Sequence, residues 1–245
     1  MKIYHIYHSC FIIETKSSFL IFDFYKAKTQ NNDFCFKGLI NDIFRSKKNF
    51  FVFASHSHSD HYNSEVLSWR NKKSNIYYIF SNDIKVYSDI SNICFVKPNQ
   101  ELIIENIKVN TFGSTDLGVS FLVNLDNINI FHAGDLNWWK WKDDTRFEAE
   151  NMECSFKKII NDIKNFNTTI TAAFFPVDYR LEENYLCGGE YVIEALHPQI
   201  FIPMHFQDSY KTADSFIKSQ LNKNSNTKIP KICCPIQLLI DDSLM

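Results

Sequence analysis

The sequence predicts an α/β protein, α+β in some schemes, whose two sheets pack together between helices as a four-layer αββα sandwich. Two observations predict this fold class. Short runs of β-branched and aromatic residues dominate the first half of the chain, whereas the second half alternates such runs with helical patterns. In addition, no linker rich in proline, glycine or serine divides the chain, so we expect residues 1–245 to form one domain with its sheets inside and its helices outside.

The individual elements follow from these patterns in chain order. Strands are predicted at residues 2–7, 10–14, 19–24, 50–54, 76–80, 102–112, 119–125 and 128–132, and we expect those after residue 100 to form an antiparallel meander. Helices are predicted at residues 39–44, 63–70 and 147–166, and Asn63 is the expected cap of the second. The second half then alternates strands at residues 171–177, 200–205 and 232–240 with helices at residues 190–196 and 212–221.

The charge balance and the cysteines restrict the partners and the compartment. Because 26 Lys+Arg balance 28 Asp+Glu, the chain has no overall field that attracts a nucleic acid, and we expect no nucleic-acid partner. Seven scattered cysteines without a Cys-x-x-Cys pair are typical of reduced thiols. The first residues lack the apolar core of a signal peptide, and no apolar run approaches the ~20 residues that span a bilayer, so we expect a soluble, cytoplasmic protein.

Residues 55–61 carry the strongest chemical signal, because they read Ser-His-Ser-His-Ser-Asp-His directly after a predicted buried strand. Imidazole nitrogens and a carboxylate are ligands that suit Zn²⁺ and similar divalent metals. The candidate ligands in this loop are His56, His58, Asp60 and His61. Because alternate residues project the same way, we expect the first two to bind one ion while the last two turn toward a second. A solvated polar loop is the alternative.

This loop resembles the His-x-His-x-Asp-His loop of the metallo-β-lactamase fold superfamily, whose members build a one- or two-metal hydrolytic site. The resemblance implies a later bridging aspartate after a glycine, which Gly134-Asp135 supplies, and a final histidine on a C-terminal strand, which His205 supplies. It also implies one or two Zn²⁺ ions, with Mn²⁺ as an alternative. The opening residues 7–13 and 20–23 are similar to the branch that contains ascorbate-6-phosphate lactonase and N-acyl-phosphatidylethanolamine phospholipase D.

The sequence departs from this family at one metal ligand. Many members carry another histidine between the loop and the bridging aspartate, but residues 112–118 contain none. Asp116 or water takes its place, or the first metal site is weak. His132 is a rival ligand, although its position three residues before Asp135 on a strand favours a supporting or core role. His8 is expected to orient a ligand or to face the substrate.

Substrate-binding residues carry a weaker signal. Trp138 lies in a tryptophan-rich run after Asp135 and is a candidate roof over an apolar substrate, with a hydrophobic anchor for the following helix as the alternative. Arg180 follows a predicted strand and is a candidate for binding an anionic group, with a surface ion pair as the alternative. The neighbouring Tyr179 is a further candidate.

Together these features predict a metal-dependent hydrolase that acts on a small molecule. A metal-bound hydroxide would cleave a lactone or carboxylic ester, and Asp60 would hold the second metal and accept a proton. Diiron relatives usually carry glutamate at the position of His58, so this residue favours hydrolysis over redox chemistry. The alternatives are a phosphodiesterase, an RNA-processing nuclease of the same fold, or a metal-binding module without catalytic activity.

Overall fold

The structure, a computed structural model, describes residues 1–26, 33–87, 90–221, 223 and 226–241. Its contacts divide the chain into two compact units. The first consists of Met1–Val96 with Ile232–Met245, and the second of Lys97–Lys231. Each unit contains one mixed sheet, which confirms the predicted α/β class with two sheets. The single domain over residues 1–245 stays a prediction.

The described residues form thirteen strands and four α-helices. The strands are β1 (Lys2–Tyr7), β2 (Cys10–Glu14), β3 (Ser18–Phe22), β4 (Asn49–Ala54), β5 (Ile76–Ser81), β6 (Ile93–Val96), β7 (Glu101–Ile104), β8 (Ile107–Phe112), β9 (Ser120–Leu125), β10 (Ile128–His132), β11 (Ala172–Pro176), β12 (Ile200–Met204) and β13 (Gln237–Ile240). The α-helices are α1 (Asp33–Arg45), α2 (Arg146–Asn165), α3 (Cys187–Leu196) and α4 (Tyr210–Leu221), and 3₁₀ helices cover Ser64–Asn71 and Tyr179–Asn184.

The sheet of the first unit has the order β13-β1-β2-β3-β4-β5-β6. From β3 to β6 its strands run parallel, and β4 is apolar and buried over most of its length, as expected for the middle of a parallel sheet. Trp69 from the first 3₁₀ helix fills the space beside this sheet, with its ring stacked on Phe50 at 5.8 Å between centroids. Asn63 caps that helix by accepting a hydrogen bond from the Glu65 N–H, which confirms the predicted cap.

The sheet of the second unit has the order β12-β11-β10-β9-β8-β7. Strands β7 to β10 form the predicted antiparallel meander, and β10, β11 and β12 run parallel. Helix α2 begins at a capping box, in which the Thr145 side chain and Glu148 bond each other's backbone N–H groups. Its buried face includes Phe156, Ile160 and Ile163, which recur at helical spacing.

Several sequence predictions were wrong in detail, including the helix predicted at residues 39–44, which covers Asp33–Arg45. The strand predicted at residues 102–112 is two strands, because Glu105 has a φ of 50° and the chain reverses there. The last strand covers only Gln237–Ile240 instead of residues 232–240. Strand β6 and the second 3₁₀ helix were missed, since both are too short for their periodicity to stand out. Among the helices of the described residues, none is long and apolar enough to cross a bilayer.

The packing of α3 on α4 leads to a prediction about stability. A Cβ atom at Gly189 would lie 2.7 Å from the Phe216 ring, closer than packed carbon atoms come. We therefore expect Gly189→Ala to lower the free energy of unfolding by about 1–3 kcal/mol, measured by urea denaturation. Gly38→Ala is the matched control, because a Cβ there has no neighbour within 4 Å in α1, and alanine should raise that free energy by about 1 kcal/mol. Equal stabilities of the two variants would contradict this packing.

Candidate metal centre

In the first unit, the candidate ligands follow the carboxyl ends of two neighbouring strands. Asp23 directly follows β3, and the loop of residues 55–61 follows β4, which pairs with β3 in parallel. The carboxyl ends of parallel strands meet at one edge of a sheet, where ligands commonly bind. His8 joins them from the turn between β1 and β2. The fold therefore brings residues distant in sequence to the predicted metal loop.

A buried carboxylate, that of Asp23, organises this loop. It accepts hydrogen bonds from the Ser55 N–H and the Ser55 hydroxyl, both at 2.7 Å, and from His61 Nδ1 at 2.8 Å. Because His61 donates from Nδ1, its lone pair lies on Nε2, the nitrogen that can bind a metal. Asp23 was not predicted as a site residue, because it falls inside the strand predicted at residues 19–24; an acidic residue near the end of an apolar strand is a signal that could have identified it.

His56 and His58 lie with their rings against each other, with centroids 4.6 Å apart. The Ser55 hydroxyl donates to Asp23 and so accepts from His56 Nδ1 at 2.9 Å, which again leaves Nε2 as the ligand atom. That Nε2 lies 3.0 Å from His58 Nδ1. Two nitrogens bound to one tetrahedral zinc ion are about 3.3 Å apart, given Zn–N bonds of about 2.0–2.1 Å, so the pair fits a shared ion.

Asp60 and His61 form a second group, together with His8. Single ligand atoms of these three residues lie within 4.8 Å of one another, and His8 Nε2 is 3.4 Å from an Asp60 carboxylate oxygen. The hydrogen bond from His8 lowers the pKa of Asp60 well below its usual range, against the opposing effect of burial and with help from the charge of His61. Asp60 therefore carries a negative charge at neutral pH, as a ligand for a cation requires.

In the second unit, the candidate site residues follow the carboxyl ends of three adjacent parallel strands. Asp135 follows β10, Asp178 follows β11 and His205 follows β12. His205 Nε2 lies 3.2 Å from an Asp135 oxygen, and His205 Nδ1 lies 2.8 Å from an Asp178 oxygen. All three side chains are buried. His205 thus has one nitrogen toward Asp135 and the other held by Asp178.

Asp178 was not predicted as a site residue, although it directly follows an apolar strand and precedes Arg180 by two residues. Its carboxylate accepts from His205 and from the Arg180 guanidinium, whose Nε lies 2.9 and 3.0 Å from the two oxygens. Burial alone would raise the pKa of Asp178, but these two hydrogen bonds outweigh it and lower the pKa to about 2. Like Asp23, it is a buried anion that orients a histidine.

Asp116 and His132, the two residues considered as replacements for the missing histidine, differ in burial and in their neighbours. Asp116 is exposed, and one of its carboxylate oxygens lies within 4.8 Å of one of Asp135. His132 is fully buried on β10, and its Nδ1 accepts the Gly134 N–H at 3.2 Å. Among the described residues, His132 belongs to no group of three possible ligands. This geometry favours Asp116, and the assignment of both residues stays a prediction.

The candidate substrate-binding residues lie in two places within the second unit. Trp138 packs against Phe156 of α2 and Tyr191 of α3, with ring centroids 5.9 and 6.2 Å away, as expected for an anchor of these helices. Tyr179 is exposed at the start of the second 3₁₀ helix, and Arg180 pairs with Asp178. Their contact with a substrate stays a prediction.

Three of the site residues have left-handed backbone angles. The φ values are 56° at His8, 47° at Asp23 and 67° at His205. Residues other than glycine adopt this region at a cost of about 1–3 kcal/mol, and such residues cluster at functional sites. The side chains at these positions therefore contribute something that glycine, which fits the backbone better, does not supply.

Comparisons with known proteins identify the fold. No family model matches this sequence. No curated protein matches it either. A solved metallo hydrolase from the archaeon Ignicoccus hospitalis is 14% identical, with a TM-score of 0.63 over 97% of both chains. The metallo-β-lactamase fold protein YhfI from Bacillus subtilis is 11% identical, with a TM-score of 0.65 over 98% of this chain and 99% of that one.

A third solved structure carries different chemistry on the same fold. The diiron β-hydroxylase CmlA from Streptomyces venezuelae is 10% identical, with a TM-score of 0.63 over 97% of this chain, which spans about half (53%) of that protein. At these identities the likeness shows the fold alone. The chain therefore has the metallo-β-lactamase fold, as the sequence resemblance implied, while the lactonase and phospholipase branch stays a prediction.

The role of Asp23 can be tested through metal affinity. Asp23→Asn keeps the shape of the side chain but removes the charge that holds His61 Nδ1–H, so we expect the affinity for Zn²⁺ to fall ten- to a hundredfold. Competition with a chromophoric chelator measures this change. Asp42→Asn, on an exposed position of α1, is the charge-matched control and should bind Zn²⁺ as the wild type does. Wild-type affinity in Asp23→Asn would exclude an orienting role for this carboxylate.

Proposed function

We propose that this protein is a metal-dependent hydrolase that binds a divalent metal, zinc or manganese. The proposed ligands are His56, His58, Asp60, His61, Asp135 and His205, with Asp116 in place of the missing histidine. The observation that carries the proposal is that buried Asp23 and Asp178 each hold the Nδ1 of a candidate ligand, His61 and His205. Metal-binding histidines almost always have such a partner, whereas a solvated loop has no need of one.

The donor set supports a divalent transition metal. Imidazole nitrogens and carboxylate oxygens suit zinc, manganese and iron, and the chain shares its fold with a diiron protein as well as with metallo hydrolases. We favour hydrolysis because His58 supplies nitrogen where diiron relatives usually carry glutamate. When bound, zinc lowers the pKa of its water to about 7 and so supplies a nucleophile at neutral pH.

The surrounding residues complete the proposed reaction. Asp60 holds a negative charge beside His8 and His61, where it can bind the metal and take up a proton as the substrate bond breaks. The carboxylates of Asp135 and Asp116 add further negative charge in the second unit. We favour a lactone or a carboxylic ester as the substrate, because the opening residues resemble the lactonase branch. Tyr179 is a candidate substrate contact, since nearly half of its surface is exposed.

Metal analysis tests the ligand set. We expect at least one divalent transition metal per chain in protein purified without chelator, and less than about a tenth of an equivalent after supplementation would exclude the site.

Asp116→Ala should lower the metal content without abolishing it, because the remaining ligands stay in place. Unchanged metal content and activity in this variant would transfer the role to water or His132. Elemental analysis of the wild type and of Asp116→Ala measures the metal content per chain.

Kinetics tests the chemistry. Asp60→Asn keeps the size of the side chain and removes its charge, so we expect kcat to fall at least a hundredfold, about 2.7 kcal/mol, on whichever ester the wild type cleaves. Ser59→Ala, exposed in the same loop, is the control and should keep wild-type activity.

The substrate panel contains small lactones, carboxylic esters and a generic phosphodiester, with Zn²⁺ or Mn²⁺ supplied. Cleavage of the phosphodiester alone would replace the esterase proposal with a phosphodiesterase. A folded, metal-loaded wild type that cleaves nothing would favour the metal-binding module. Full activity of Asp60→Asn would refute the proposed role of this residue.

A further inference from the structure

We propose that Arg180 is a positioning residue for the metal ligand His205, to which it is linked through Asp178. This inference rests on the proposed function only in so far as His205 binds a metal. It differs from the anion-binding role that the sequence predicts for Arg180, because the proposed partner of its guanidinium is a buried carboxylate of the protein itself.

The first step is the contact between Arg180 and Asp178. The guanidinium Nε lies 3.0 and 2.9 Å from the two carboxylate oxygens, Nη2 also bonds one of them, and the Arg180 N–H donates to the same side chain at 2.8 Å. Only 1% of the Asp178 side chain is exposed, whereas half of the Arg180 side chain is. A forked arginine fixes the plane of a carboxylate as well as its charge.

The second step is the hydrogen bond between the Asp178 carboxylate, which Arg180 fixes, and His205. The Asp178 oxygen that accepts from Arg180 Nη2 also lies 2.8 Å from His205 Nδ1. One carboxylate oxygen thus joins the guanidinium to the imidazole, so a rotation of the carboxylate would break the hydrogen bond to His205. The imidazole in turn presents Nε2 toward Asp135 at 3.2 Å.

Trp139 and Trp141 form a second connection between Arg180 and His205. Trp139 packs its ring edge-to-face on His205, with centroids 5.6 Å apart, and donates its indole N–H to the Asp135 carbonyl at 2.9 Å. Trp141 stacks on Trp139 at an interplanar angle of 6°, and the Arg180 guanidinium lies over Trp141 at 5.9 Å. Arg180 is therefore held from two sides, and the same group of side chains contacts both Asp135 and His205.

The experiment measures Zn²⁺ affinity of the full-length, metal-depleted protein by competition with a chromophoric chelator. We expect about tenfold weaker binding in Arg180→Gln, equivalent to about 1.4 kcal/mol, and a smaller loss in Arg180→Lys, which keeps the charge but cannot fork both oxygens. Asp178→Asn should lose ten- to a hundredfold. Arg180→Gln should then cost little more in the Asp178→Asn background, because the path is already broken.

Arg146→Gln is the matched control. Arg146 also bonds a carboxylate through Nε, that of Glu150, but the pair is exposed on the first turn of α2. We expect wild-type Zn²⁺ affinity in this variant. If Asp178→Asn fails to fold, the comparison of Arg180→Gln with Arg146→Gln decides the question, since both arginines are exposed enough to be replaced without a cavity.

The outcomes separate this inference from the hydrolase proposal. Unchanged Zn²⁺ affinity in Arg180→Gln with a raised KM would overturn the positioning role and support contact with an anionic substrate. Equal losses from Arg180→Gln with and without Asp178→Asn would overturn the path through Asp178. If the wild type binds Zn²⁺ but cleaves no substrate of the panel, weaker Zn²⁺ binding in Arg180→Gln would support the positioning role and refute the hydrolase. A wild type that binds neither Zn²⁺ nor Mn²⁺ would overturn both.

Discussion

A buried carboxylate that accepts the Nδ1–H of a histidine is the interaction on which both ligand groups depend. Asp23 holds His61 in the first unit and Asp178 holds His205 in the second, each at 2.8 Å. An imidazole that donates from Nδ1 keeps its lone pair on Nε2, so this hydrogen bond selects both the orientation of the ring and its ligand atom. The fold must therefore bring one carboxylate and one histidine together within each unit.

Parallel strand pairs meet this requirement in both units. Asp23 follows β3 and the metal loop follows its parallel neighbour β4, while Asp178 follows β11 and His205 follows its parallel neighbour β12. Because parallel strands end at the same edge of a sheet, an acidic residue after one strand can reach a histidine after the next. An antiparallel neighbour would place its carboxyl end at the opposite edge.

This dependence on strand pairing explains what the sequence could and could not predict. The metal loop was identified because its ligands fall within seven consecutive residues, and most elements were predicted because their apolar spacing is local. The partners of the histidines are not local, since Asp23 and His61 are 38 residues apart and Asp178 and His205 are 27 residues apart. The left-handed backbone at His8, Asp23 and His205 was equally hidden, because residues other than glycine adopt it in only a few per cent of cases.

The two orienting carboxylates, Asp23 and Asp178, are held in place by different hydrogen-bond donors. Besides its histidine, Asp23 accepts from the N–H and hydroxyl of Ser55, donors that the end of β4 holds in place. Asp178 also accepts a backbone N–H, that of Arg180, but its oxygen that holds His205 is bonded by the half-exposed Arg180 side chain. The oxygen that holds the histidine is therefore bonded by the buried Ser55 hydroxyl in the first unit, whereas in the second it is bonded by a side chain that solvent or a bound molecule can reach. A group that displaces this guanidinium would loosen His205 while leaving His61 in place.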